Sequence, residues 1–126
     1  MQIKPVGWFE IYVQDMQRAK AFYEAVLATQ LEKLDSPDPD MEMWAFPGAM
    51  DEGSGASGAL VTMKVGISGG NGTVVYFSCK DCATEAGRVS SNGGKVTQEK
   101  FPIGQYGFAA LFTDTEDNLI GLHSVQ

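Results

Sequence analysis

The stretch GWFEIYVQD, residues 7 to 15, sets Phe9, Ile11 and Val13 on one side of an extended chain and Trp8, Glu10 and Tyr12 on the other. A period of two with unlike faces predicts a β-strand lying between two different surroundings. Asp15 then offers an N-cap, and Ala19, Phe22, Tyr23 and Val26 follow at helical spacing, which predicts an amphipathic helix over residues 16 to about 28. The chain leaves that helix in LDSPDPD, where Pro37 and Pro39 forbid further helix.

Sixty-six residues after the first strand the same grammar returns in TVVYFSCKD, which places Asp81 on Asp15, Val75 on Phe9 and Phe77 on Ile11. A second helix is predicted with Ala83, Ala86 and Val89 inward, stopping at Gly93-Gly94, where glycine accepts a left-handed cap. Strand-like pieces follow each helix: LEKL, MWAF and ALVTMKV in the first half, KVTQ, GFAALFT and LIGLHSV in the second. Each half reads β-α-β-β-β and is too short to bury its own sheet. The expected fold is therefore α+β: one domain over residues 1–126, with module one at about 1–65 and module two at about 73–126, joined by the flexible GISGGNGT. The two modules would share one curved, roughly eight-stranded mixed sheet with a concave cup and helices on the convex face.

Composition narrows the partners. Apolar residues make up 44% of the chain and charged residues 20%, the proportions of a globular domain rather than a disordered one. A net charge of -7, with Lys and Arg scattered, disfavours nucleic acid and anionic membrane and favours a cationic small molecule. Glu10 interrupts the first apolar run, so the N-terminus does not read as a signal peptide, and no stretch is long and apolar enough to span a bilayer. Two cysteines cannot form a disulfide framework, and the expected location is the cytoplasm.

Three short motifs point to chemistry that their context does not support. In CKDC, Cys79 falls on a strand and only Cys82 lies in the first turn of the second helix, so both read as small buried apolar groups rather than a redox pair. Gly53, Gly55 and Gly58 match the spacing of a dinucleotide fingerprint but precede a strand, with no helix N-terminus to receive a pyrophosphate. They read instead as a mobile loop, partnered in the second half by PIGQYG with Gln105 and Tyr106. The acidic run at 35–42, with Asp51 and Glu52, lacks calcium-loop spacing.

The run FEIYVQDMQRAKAFYEAVL, the SNGGKV after the second helix and the closing DTEDNLIGLHS resemble the glyoxalase, bleomycin-resistance and extradiol-dioxygenase superfamily, the vicinal oxygen chelate fold, over essentially the whole chain. Metal enzymes of that superfamily carry ligands on the first and last strand of each module. The resemblance carries those positions to Trp8, Gly58, Val74 and Gly121, none of which has a side chain able to bind a divalent ion. The expectation is thus no metal and no other cofactor, which argues against lyase or dioxygenase chemistry that depends on one.

Two residues further along each strand, the same carry-over puts Glu10, Leu60, Tyr76 and His123 in the cup. The leading expectation is a small-molecule-binding protein, homodimeric as the resemblance implies, that sequesters a cationic or aromatic metabolite or antibiotic. Trp8, Tyr12, Trp44, Gln105 and Tyr106 would contact the ligand, and Glu10, Tyr76 and His123 would orient it. As an enzyme, the chain would abstract a proton next to a carbonyl, with Glu10 as base and Tyr76 or His123 stabilising the enolate. A noncatalytic scaffold or regulatory subunit is the third reading.

Overall fold

The computed structural model describes residues 5–47, 55–63 and 69–126. The elements follow in the order β1 (Val6–Tyr12), α1 (Met16–Leu27), β2 (Glu32–Leu34), β3 (Met41–Ala45), β4 (Ser57–Met63), β5 (Thr73–Ser78), α2 (Cys82–Ala86), β6 (Lys95–Pro102), β7 (Phe108–Thr113) and β8 (Leu119–Ser124). The strands form one open eight-stranded mixed sheet in the order β2-β3-β4-β1-β5-β8-β7-β6. The α+β class and the β-α-β-β-β grammar of each half are therefore as the sequence predicts, with each half ordered first, fourth, third, second strand. Pairing is antiparallel in β2–β3–β4 and in β6–β7–β8, and parallel between β5 and β8.

The chain divides into two compact units: Phe9–Thr73, and Val74–Gln126 together with the chain up to Trp8. In the first unit, Asp15 caps α1 by accepting from the Arg18 amide at 3.0 Å. Met16 is the buried residue of the helix, and with Leu31 and Leu60 it forms a core against which Ile11, Val13, Ala19, Tyr23, Trp44 and Phe46 pack. The odd positions of β1 thus face α1, as the alternation requires. The helix is narrower than its apolar pattern suggests: Phe22 and Val26, read as part of the inward face, are 59% and 62% exposed. The residues of α1 that pack against this core are Met16, Ala19 and Tyr23.

In the second unit, Asp81 caps α2 through the Ala83 amide at 3.0 Å. The α-helix proper is five residues long. The Gly87 amide bonds to both the Ala83 and the Glu85 carbonyls, and the chain tightens into a 3-10 turn over Ser90–Asn92 before Gly93 ends it at φ 95°. The stop at Gly93 is where the sequence puts it, but the regular helix breaks one turn earlier, where glycine contributes no packing atoms. Ala83 is exposed rather than inward, and Cys82 is the buried anchor, packed with Ala110, Leu122 and Ala86. The loop glycine Gly53, the acidic Asp51 and Glu52, the start of the linker and the end of the strand read to Val65 lie outside the described residues.

Candidate functional site

Glu10 and Tyr12 lie on the even face of β1, turned away from α1. Tyr12 donates its hydroxyl to Glu10 Oε1 at 2.9 Å, so the two side chains share one side of the strand. Glu10 is 8% exposed. In the same unit, Met43 and Ala45 of β3 pair in register with Val61 and Ala59 of β4, and all four are buried on the side opposite Leu60 and Trp44. This face is a carboxylate and a phenol set among apolar side chains. A carboxylate withdrawn from water is costly unless it is hydrogen-bonded and paired, and Tyr12 supplies one such bond.

Trp44 and Leu60 do not share that face. They pair with each other in register and pack against Met16 beneath α1. Trp44 donates Nε1 to Glu42 at 3.1 Å, and the Lys20 ammonium stands 4.7 Å over its ring. Lys20 in turn pairs with Glu24 at 3.3 Å. Trp44 is thus part of the helix packing and does not stand beside Glu10, because its register partner Leu60 lies in the core beneath α1. Gly58 lies on the α1 side as well: a Cβ there would fall 2.4 Å from the Phe9 ring.

In the second unit, Tyr76 of β5 pairs in register with Gly121 of β8, and its ring covers the glycine so closely that a Cβ at position 121 would sit 2.3 Å from it. Tyr76 is 9% exposed and Val74 lies fully inside. His123, two residues beyond Gly121, falls on the same side of β8, opposite Leu122 and its contacts with α2. Its Nε2 lies 2.7 Å from the Tyr106 carbonyl oxygen. Tyr106 ends the 3-10 turn Gly104–Tyr106; Gln105 is exposed and Tyr106 half-buried. Trp8 also belongs to this unit and is half-buried. The structure therefore gathers Tyr76, His123 and the Gln105–Tyr106 turn in one unit, and Glu10 with Tyr12 in the other.

The cysteines do not form a reactive pair. An aspartate rather than a thiol caps α2, and burial pushes the Cys79 thiol up to about 11, with the nearby Glu85 carboxylate adding to the shift. A thiol held neutral is a poor nucleophile. The Lys100 ammonium, 2.9 Å from Asp81, together with the Ala83 amide, keeps the Asp81 carboxyl below its usual range. Among the described residues, no three His, Cys, Asp or Glu side chains gather as metal ligands would.

Two contacts had no reading in the sequence. Ser124 accepts from the Cys82 amide at 3.0 Å and donates to the Gln126 carbonyl at 2.8 Å, tying the end of β8 to the start of α2. No sequence pattern marks a serine for that role. The Lys20–Glu24 pair, by contrast, has i,i+4 spacing and was readable on the helix.

The sequence profile of the Glyoxalase/Bleomycin resistance protein/Dioxygenase superfamily matches residues 6–122. No curated protein matches the chain. Among solved structures, methylmalonyl-CoA epimerase from Mycobacterium tuberculosis is similar with a TM-score of 0.69 at 17% identity, over 97% of this chain and 88% of that one. A hypothetical protein from Bacillus halodurans is similar with a TM-score of 0.70 at 14% identity, over 96% and 94%. A variant of the Streptomyces coelicolor methylmalonyl-CoA epimerase in complex with 2-nitronate-propionyl-CoA is similar with a TM-score of 0.68 at 14% identity, over 98% of each chain. At these identities the likeness is one of fold.

Proposed function

The chain belongs to the Glyoxalase/Bleomycin resistance protein/Dioxygenase superfamily, and from that premise we propose that it binds a small cationic or aromatic molecule without using a divalent metal. The observation that carries this reading is the Glu10 carboxylate, 8% exposed and held by the Tyr12 hydroxyl on an otherwise apolar strand face. A positively charged guest is attracted by a carboxylate on this face, and apolar neighbours supply contact area. The acidic net charge of -7 draws cations toward the protein from a distance.

The residues that the resemblance sets at the superfamily's ligand positions favour the metal-independent reading. Trp8 and Val74 offer no coordinating atom, and the Tyr76 ring fills the space a side chain at Gly121 would need; Gly58 lies against Phe9 on the α1 side, away from the Glu10 face, so the position carried over to it does not bear on a metal. A homodimer in the cytoplasm completes the proposal.

Quenching of Trp8 fluorescence in a Trp44→Phe background tests the proposal, with metal-free bleomycin as the cationic aromatic probe and EDTA present throughout. Saturable quenching is expected, weakened about tenfold or more in Glu10→Gln, since a charged partner is lost. Absence of saturation below about 1 mM, an affinity of about 4 kcal/mol, counts against it. So does binding that EDTA abolishes.

A second reading is favoured by the epimerase names of two structural neighbours. In it, Glu10 removes a proton next to a carbonyl. Deuterium uptake from heavy water into methylmalonyl-CoA, abolished in Glu10→Gln, would establish that reading in place of sequestration.

A further inference from the structure

The turn at Gly104–Tyr106 is held at two points, both at the end of β8. Gly107, at φ 103°, brings its backbone so close to the next strand that a Cβ there would lie 2.4 Å from the Ser124 carbonyl oxygen and 2.9 Å from Val125 Cα. Only glycine fits that approach. The second point is the 2.7 Å contact between His123 Nε2 and the Tyr106 carbonyl. Within the turn, the Ile103 amide bonds to Gly107 at 2.9 Å, whereas the Tyr106 and Gly107 amides make longer bonds of 3.4 and 3.3 Å. The turn's own bonds are thus weak at the residue His123 grips.

A carbonyl oxygen can only accept. The nitrogen facing Tyr106 must therefore carry the hydrogen, which fixes the neutral imidazole as the Nε2–H tautomer and leaves the lone pair on Nδ1.

We propose that His123 is a positioning residue: it holds the turn carrying Gln105 and Tyr106 through Nε2–H, so that any proton it exchanges with a bound molecule passes through Nδ1. This assignment stands apart from the reading of Glu10, because every contact it uses lies within Val74–Gln126. It also gives the histidine a role that a bare alternation argument on β8 does not supply. Its neighbour Ser124 holds the start of α2 from the opposite side of the strand, so the two last residues of β8 fasten a turn on one face and a helix on the other.

Two measurements test the proposal. In the unmodified protein, imidazole nitrogen NMR at a pH where His123 is neutral reports its tautomer directly, and Nε2–H is expected; the Nδ1–H form would overturn the assignment. Amide hydrogen exchange at Tyr106 and Gly107 is then compared among variants. His123→Ala is expected to speed it about tenfold, because the turn loses its outside tie. His123→Gln carries an amide hydrogen at the ε position and is expected to stay within about threefold of the unmodified protein, whereas His123→Asn, with its amide one bond short, should follow His123→Ala. Unchanged exchange in His123→Ala, or a Gln variant no better than Ala, overturns the proposal. Should His123→Ala fail to fold, the Gln-against-Asn comparison and the tautomer decide it.

Discussion

Adding one methyl group at Gly121 tests whether the Tyr76 ring occupies the space above it. The new Cβ would lie 2.3, 2.4 and 2.7 Å from Tyr76 Cδ2, Cε2 and Cγ, where carbon atoms ordinarily rest about 3.5–4.0 Å apart. The Cγ contact matters most, because that atom swings only about χ1 and cannot be relieved by flipping the ring. Tyr76 is 9% exposed, so a retreat of about 1 Å must displace packed neighbours, and over-packing of this kind costs about 1–3 kcal/mol. Gly121 is not among the positive-φ residues, so alanine also restricts the unfolded chain and returns about 0.5–1 kcal/mol. The net expectation for Gly121→Ala is a loss of about 1–2 kcal/mol in urea unfolding with an unchanged slope, or a melting temperature lower by about 3–8 °C. In a Tyr76→Leu background most of that penalty should vanish, giving a coupling of about 1 kcal/mol in the double-mutant cycle. A Gly121→Ala protein as stable as the parent, or effects that simply add, would refute the packing argument and with it the main structural objection to a ligand side chain at this position.

Ala28 closes α1 in the left-handed region at φ 52°, a conformation that costs a residue with a Cβ about 1 kcal/mol, so Ala28→Gly is expected to stabilise the protein by about 0.5–1 kcal/mol in denaturant titration. Glu24 has its pKa lowered, first by the Leu31 amide and then by Lys20. A depressed folded value means that the unfolded chain binds the proton more readily, so this stabilisation is complete above the ordinary carboxylate pKa and is lost as pH falls through the lower one. Glu24→Gln should therefore show a shallower fall of melting temperature below about pH 4.5. With its thiol pushed up to about 11, Cys79 should react with iodoacetamide at pH 7.5 about a hundredfold more slowly than free cysteine by mass spectrometry, the rate climbing with pH. Glu85→Gln, which removes the adjacent charge, should speed it.

The strands and caps were legible because their causes are local. Alternation in GWFEIYV and TVVYFS and an aspartate ahead of each helix act over a few residues, and Asp15 and Asp81 cap as their positions require. The length of α2 was less legible, since Gly87 admits either continued helix or a tighter turn and its neighbours decide between them. The candidate site divided along the same line. Glu10 and Tyr12 fall on one face because period two on a single strand demands it, whereas the side that Trp44 and Leu60 join, packed with Met16, follows from the pairing of β3 with β4 and not from either strand alone.

By itself, then, the sequence determined the order of elements, the superfamily and the acidity. Tertiary structure alone decided which face each strand residue joins, that Tyr76 covers Gly121, and that His123 grips the Tyr106 carbonyl. Periodicity fixes a side chain relative to its neighbours on the same strand. Only the pairing of distant strands, set by loop lengths and close glycine approaches that carry no periodic signal, fixes it in space.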